Sequence, residues 1–211
     1  MSSSASSLCS LSQPAKNQSR RGNLPPDVLF SKAVSKILRH DPKIPMRSDG
    51  FVRLDDLVKR PQFKNKTLAD FQQLVSSNDK QRFSLAEVDG VWIIKANQGH
   101  SRQVNVALEE ISDPSDIPIV IHGTYLHCWP AIQREGLNRM NRNHIHFAVG
   151  RPGESGVISG MRKTCEVLIF IDAQKAMFDG IRFFRSPNNV ILSEGVNGVI
   201  ASDYFKIVEM K

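Results

Sequence analysis

The stretch Arg82-Phe83-Ser84-Leu85-Ala86-Glu87-Val88-Asp89-Gly90-Val91-Trp92-Ile93-Ile94-Lys95-Ala96 decides the fold of the first half of the chain. Residues 82–87 and 91–96 are runs suited to strands, and Asp-Gly between them is a dipeptide that reverses a hairpin, because both central residues of a type I′ turn need positive φ. Arg82 therefore starts the first strand of a two-stranded wing. Upstream, Pro25-Pro26-Asp27 opens a helix, with proline near the first turn and an acid at the positive end of the dipole. Phe30, Ala33, Val34, Ile37 and Leu38 recur at helical spacing, and the residue before Pro42 is biased out of helix, so the element ends near Arg39-His40. Asp49-Gly50 predicts a turn, residues 51–52 a short strand and residues 54–59 a short helix. Thr67-Leu68-Ala69-Asp70 reads as a capping box with Asp in the usual place of Glu, ahead of the apolar stripe Leu68, Phe71, Leu74 and Val75. Helices followed by a hairpin describe a winged-helix-like unit, a shape that holds nucleic acid and also proteins.

From about Val104 the pattern changes. Apolar runs at residues 117–121 and 167–171 predict strands, separated by Gly- and Pro-marked turns with few long periodic helices, which describes an α+β unit rich in sheet. His122-Gly123-Thr124 follows the apolar run Ile119-Val120-Ile121, where a strand should end and a His and a hydroxyl could face a ligand. In His144-Ile145-His146-Phe147 the two imidazoles would share one face of a strand. His144 reads more simply as a core or edge residue, and no third ligand of suitable spacing supports zinc. The chain thus divides into a tail (1–25), a winged-helix-like lobe (26–100) and a sheet-rich lobe (101–211).

Charge divides in the same way. The 211 residues are 40% apolar and carry a net charge of +7, all of it in the first half: residues 1–25 hold three bases and no acid, residues 26–100 thirteen bases against nine acids, and residues 101–211 twelve of each. A polyanion meeting the first half is the natural partner. Cys9, Cys128 and Cys165 form no C-x-x-C pair and imply neither a disulfide framework nor a zinc site, which points to a reducing, intracellular compartment, cytoplasm or nucleus. The longest strongly apolar run, 167–171, is too short to span a bilayer. The Ser-rich, acid-free start reads as a disordered tail; a transit peptide has similar composition, but an amphipathic Arg face is not evident.

Three fragments place cations where an anion could be gripped: Ile37-Leu38-Arg39-His40-Asp41-Pro42, Lys80-Gln81-Arg82-Phe83-Ser84 and Ser159-Gly160-Met161-Arg162-Lys163. Guanidinium binds phosphate in a bidentate fork, and a neighbouring His can donate a hydrogen bond or move a proton near neutral pH. Any one of these residues read alone is an ordinary surface charge.

Taken in order, Leu38-Arg39-His40, Lys80-Gln81-Arg82-Phe83, Ala96-Asn97-Gln98-Gly99-His100-Ser101, His122-Gly123-Thr124, His144-Ile145-His146 and Ser159-Gly160-Met161-Arg162 resemble the NAD-dependent tRNA 2′-phosphotransferases, over about residues 29–205. The resemblance implies an amino-terminal winged-helix RNA-binding lobe and a carboxy-terminal lobe of ADP-ribosyltransferase fold that holds NAD as a consumed co-substrate, without a metal. It implies removal of the internal 2′-phosphate of ligated tRNA, the last step of tRNA splicing. The RNA phosphate attacks C1″ of the NAD ribose and expels nicotinamide, then the ribose O2″ attacks phosphorus, giving 2′-OH RNA and ADP-ribose 1″,2″-cyclic phosphate. On this analogy Arg39, His40, Arg82 and Arg162 are catalytic, with Arg151 a weaker alternative to Arg162. His122, Gly123, Thr124, His146, Ser159 and Gly160 bind NAD, and Gln98, Gly99, His100 and Ser101 lie at the RNA or interlobe side. No obligate protein partner is evident. Two other readings compete: a protein or nucleic-acid mono-ADP-ribosyltransferase using Glu194, and a non-catalytic winged-helix binding protein.

Overall fold

The computed structural model describes residues 24–211 apart from 107, 155, 156, 158, 159 and 163. Residues 1–23 of the expected tail and Ser159 therefore lie outside the described residues. Helix α1 (Pro26–His40) begins with Pro25 as N-cap and Asp27 in the first turn, and it ends with Arg39 and His40 where cations meet the negative end of the dipole. Its buried face is Val34, Ile37 and Leu38. Strand β1 (Val52–Arg53) and helix α2 (Leu54–Val58) follow, each within a residue of expectation. Helix α3 (Leu68–Ser76) carries the capping box: Asp70 N donates to Thr67 Oγ1 while Thr67 N donates to Asp70 Oδ2 at 2.7 Å. The shorter Asp closes the box as Glu would.

Strands β2 (Phe83–Val88) and β3 (Val91–Ala96) pair from Phe83↔Ala96 to Val88↔Val91. Asp89 and Gly90 sit at φ 51° and 73°, the type I′ turn that the dipeptide predicts. With β1 they make a sheet of order β1-β3-β2. Arg82 falls one residue before the ladder instead of starting it. The core of this half includes Phe30, Phe63 and Phe71, three rings in mutual edge contact at 5.2–6.0 Å.

The second core is separate and belongs to antiparallel sheets. Strand β4 (Glu109–Ile111) is followed by β5 (Ile121–Thr124), helix α4 (Trp129–Glu135), β6 (Leu137–Asn138), β7 (Ile145–Phe147) and β8 (Val167–Ile171). Helix α5 (Ala173–Phe178), β9 (Phe183–Arg185), β10 (Ile191–Ser193), β11 (Val199–Ile200) and β12 (Phe205–Met210) complete it. The sheets run β4-β9-β10-β7 and β12-β8-β5, with β11 beside β6. A bridge between Ile121 and Ala148 joins the two larger sheets at the end of β7. Among the described residues no helix is long and apolar enough to cross a membrane.

One strand differs from expectation. Residues 117–120 are not in a strand: Pro114–Asp116 is a 3-10 turn, and Pro118 has no N–H to offer a ladder. Ile117 and Val120 are nonetheless buried. Burial, which the apolar run does report, was satisfied outside a strand, with Val120 O accepting a single bond from Ile171 N at 2.9 Å. His122, Gly123 and Thr124 therefore lie inside β5, not beyond its end.

Candidate active site

A cavity of about 820 Å³ opens between α1, α3 and the segment leading into β2. Its lining includes Lys36, Arg39 and His40 from α1, Arg82 from the start of the hairpin, and Arg162 from the sheet half. Cations 123 residues apart in sequence thus face one space.

Arg39 is the most constrained of them. Desolvation, then the charges of Arg142 and Arg82, push its guanidinium down to about 10. It stays protonated at neutral pH, so the shift measures how unfavourably the cation is housed without an anion. Its Nε is buried with no hydrogen-bond partner. Gly99, at φ 86°, allows the close approach beneath it: a Cβ there would stand 3.4 Å from Nε and Cζ of Arg39. Ser101 N donates to Arg39 O at 3.1 Å, and Ser101 Oγ lies 3.0 Å from His40 Nδ1. His40 is itself held below the ordinary imidazole value by desolvation, Arg39, Arg142 and Lys36, which favours its neutral form at pH 7.

Arg82 follows Gln81, a non-glycine residue in the left-handed region at φ 43°. Asn78 holds the turn, its Oδ1 accepting from Arg82 N at 3.3 Å and Arg82 Nη1 at 3.4 Å. Asn97 Nδ2 donates to Gln81 O at 2.7 Å, and Asn97 N to Arg82 O at 2.9 Å. Desolvation lowers the Arg82 pKa, against the opposing pull of Asp79. Arg162 lies over the ring of Tyr125 at 5.8 Å and donates to its hydroxyl at 3.4 Å.

The second group of expected residues does not line this cavity. His122 Nδ1 lies 3.0 Å from His146 O, which fixes β5 against β7. Gly123 leaves room for Met161 and Cys165, each of which would be 3.0 Å from an added Cβ. Gly160 packs on Ala148 and the carbonyl of Phe147. Thr124 is buried, and His146 Nε2 is buried without a partner. His122, Gly123, Thr124 and His146 thus lie on β5 and β7, which with Gly160 form one wall of the sheet half. Gln98 and His100 are buried where the two cores meet: Asn143 N donates to His100 O at 3.1 Å, and His100 Nε2 has no partner.

Other candidates sit elsewhere. Arg151 forks onto Glu209 at 2.6 Å and 2.6 Å. Glu194 is exposed after β10, 3.9 Å from His144, whose ring meets Phe184 edge-on. The described residues hold no group of three or more His, Cys, Asp or Glu in reach of one metal ion.

Sequence reasoning missed Arg142, two residues before the His144-Ile145-His146 motif. Its charge acts on Arg39, His40, His122 and His146 together, and desolvation followed by Arg162 lowers its own pKa. Its charge reaches groups of both the cavity and the sheet wall, as that of Arg39 also does at His146. Its proximity to the motif was the available signal.

With that geometry in place, comparison with known proteins is decisive about class. A family model described as RNA 2′-phosphotransferase, Tpt1/KptA family, matches residues 25–195. A zebrafish protein named tRNA 2′-phosphotransferase 1 is 48% identical over 188 residues, 85% of this chain and 84% of its own length. The human protein of the same name is 46% identical over 188 residues, covering 85% and 74%. A Schizosaccharomyces pombe relative is 48% identical over 204 residues, 95% of this chain, which spans 55% of that relative's length. The chain belongs to the Tpt1/KptA family of RNA 2′-phosphotransferases.

Proposed function

We propose that this chain removes the internal 2′-phosphate of ligated tRNA by transferring it to NAD, with 2′-OH RNA, ADP-ribose 1″,2″-cyclic phosphate and nicotinamide as products. The observation that carries the reading is Arg39, a guanidinium with a buried unpartnered Nε, facing one cavity with His40, Arg82 and Arg162. A phosphate dianion relieves the mutual repulsion of this cluster, and each charge-assisted contact is shorter and stronger than a neutral one.

Arg39, His40 and Arg82 hold the phosphate, and Arg162 favours the charge that develops when the phosphorus is attacked. His40, neutral beforehand, takes up a proton as the dianion binds and then donates to it. NAD supplies the electrophilic ribose carbon and the nicotinamide leaving group. His122, Gly123, Thr124, His146, Ser159 and Gly160 are the residues that hold it, a reading supported by the unpartnered His146 Nε2. Holding two mutually repelling anions at attack distance is the chief demand, and positioning can supply up to about 7–11 kcal/mol. Residues 26–100 serve as a winged-helix-like RNA-binding lobe, and residues 101–211 as an ADP-ribosyltransferase-like lobe. Gln98, Gly99, His100 and Ser101 join them beneath Arg39.

The competing mono-ADP-ribosylation reading needs Glu194, which is 70% exposed and does not line the cavity. The test is incubation with NAD and a short RNA bearing one internal 2′-phosphate. A 2′-OH product and nicotinamide should appear only when both substrates are present. Nicotinamide release at the same rate without RNA would overturn the reading.

A further inference from the structure

The segment Lys80-Gln81-Arg82 is gripped by three asparagine side chains, and one of them comes from the other half of the molecule. Asn188, in the connection between β9 and β10, donates from Nδ2 to Lys80 O at 3.0 Å, across 108 residues of sequence. It is 1% exposed. Its orientation is set on the far side, where Ser186 Oγ donates to Asn188 Oδ1 at 2.9 Å and itself accepts from Val190 N at 3.0 Å. Ser186 is also buried. A buried amide with oxygen and nitrogen both engaged cannot rotate without leaving a polar group unsatisfied.

The carbonyl it holds precedes the left-handed residue Gln81, whose own carbonyl is taken by Asn97, and the next N–H, of Arg82, is taken by Asn78. Asn78 in turn reaches Ser31 of α1 at 3.4 Å, and Ser84 Oγ donates to Asn97 Oδ1 at 2.7 Å. Those two asparagines tie Arg82 to its own half alone. Asn188 ties it to the half that carries Arg162 and the β5–β7 wall. Left-handed backbone at a non-glycine residue persists only where its surroundings over-determine it.

We propose that Asn188 is a positioning residue for the transfer reaction: through Lys80 O it fixes the Arg82 backbone relative to the sheet half, so that phosphate held by Arg82 and the group held by the opposite wall stay in register. The inference rests on the phosphate reading of the cavity. Asn188 touches neither substrate, and its effect passes through Arg82.

The test uses the full chain with Asn188→Leu, which keeps the volume, and Asn188→Asp, which keeps the shape and the Ser186 bond but replaces the donor by an oxygen. With 2′-phosphorylated RNA and NAD, each variant should lose about ten- to a hundredfold in kcat, as expected for a reacting group displaced by up to an ångström. KM for the RNA should change by less than about threefold, since Arg39 and His40 still bind the phosphate. In an Arg82→Ala background either substitution should add less than about a twofold further loss, the non-additivity expected of a residue acting through another. Independently of activity, hydrogen exchange at the amides of Gln81, Arg82 and Phe83 should quicken in the variants. Unchanged kcat in a folded variant, or the same fold loss with and without Arg82, would overturn the proposal. A wild-type chain without activity would instead contradict the phosphate reading while leaving the exchange result to judge the tether.

Discussion

On the sheet half, Arg151 forks onto Glu209 and Arg182 onto Glu110, whereas at the cavity Arg39 has no carboxylate in contact among the described residues and feels the charges of Arg142 and Arg82. The paired arginines have raised pKa values, with the hydrogen bond to the carboxylate as the first cause. Arg39 has a lowered one, with desolvation first. The same side chain thus serves two purposes. A guanidinium matched by its own fold closes a loop or pins a strand, and one left unmatched is, on the proposed reading, held ready for an anion from outside. Net charge does not distinguish them, since paired cations occur in the basic half as well, for example Arg60 with Asp41 at 3.1 Å. Burial without a counter-ion does.

Replacing Arg39 or Arg82 by Ala should give the largest loss, on the order of 2–4 kcal/mol in transition-state stabilisation, as for a preorganised charge donor. Single-turnover assays on 2′-phosphorylated RNA would show this, and a loss under threefold would break the distinction between matched and unmatched arginines. Arg162→Ala should follow: the RNA phosphate should still attack NAD and release nicotinamide, yet the RNA should stall as a slower-migrating ADP-ribosylated species on a gel. Normal turnover, or a stall with no such species, would contradict its assigned role.

His100 sharpens the comparison through pH. Burial, then Arg39, His40, Arg102 and Lys95, bring its pKa from 6.5 to about 4. Below pH 6.5 the unfolded chain takes up a proton here that the folded chain refuses, so this contribution to stability is complete above 6.5 and declines as pH falls towards 4. The full effect is about 3 kcal/mol. Urea unfolding of His100→Gln from pH 7 to pH 4 should therefore show a shallower decline than wild type, and parallel curves would refute the assignment.

At the small end, Arg151→Ala removes an exposed ion pair and should cost at most about 1 kcal/mol. Its kcat should stay within about twofold of wild type, where a change to one interaction is not made in the transition state. A severe loss of kcat would place Arg151, not Arg162, in the reaction.

Much of this was legible because its signals are local. The proline-opened α1, the Thr67–Asp70 box and the Asp89-Gly90 turn each depend on neighbours within four residues. The expected strand at 117–121 failed because an apolar run reports burial, and Ile117 and Val120 found burial beside Pro118 without a ladder. Arg39, His40, Arg82 and Arg162 stood out by residue type and motif, but their convergence depends on how two cores dock. Asn188 was invisible for the same reason, and Arg142 showed only by its place two residues before the His144-Ile145-His146 motif. Their chemistry is ordinary, and only a contact with segments far away in sequence gives it a role.

The most direct measurement is calorimetric binding of two RNA oligonucleotides that differ only in one internal 2′-phosphate, without NAD. The unmatched cluster predicts about 100-fold tighter binding of the phosphorylated strand, equal to two charge-assisted contacts of modest strength. It also predicts proton uptake near pH 7 as His40 becomes charged, and Arg39→Ala should remove most of the difference. Equal affinity for the two strands, with no proton taken up, would contradict the account.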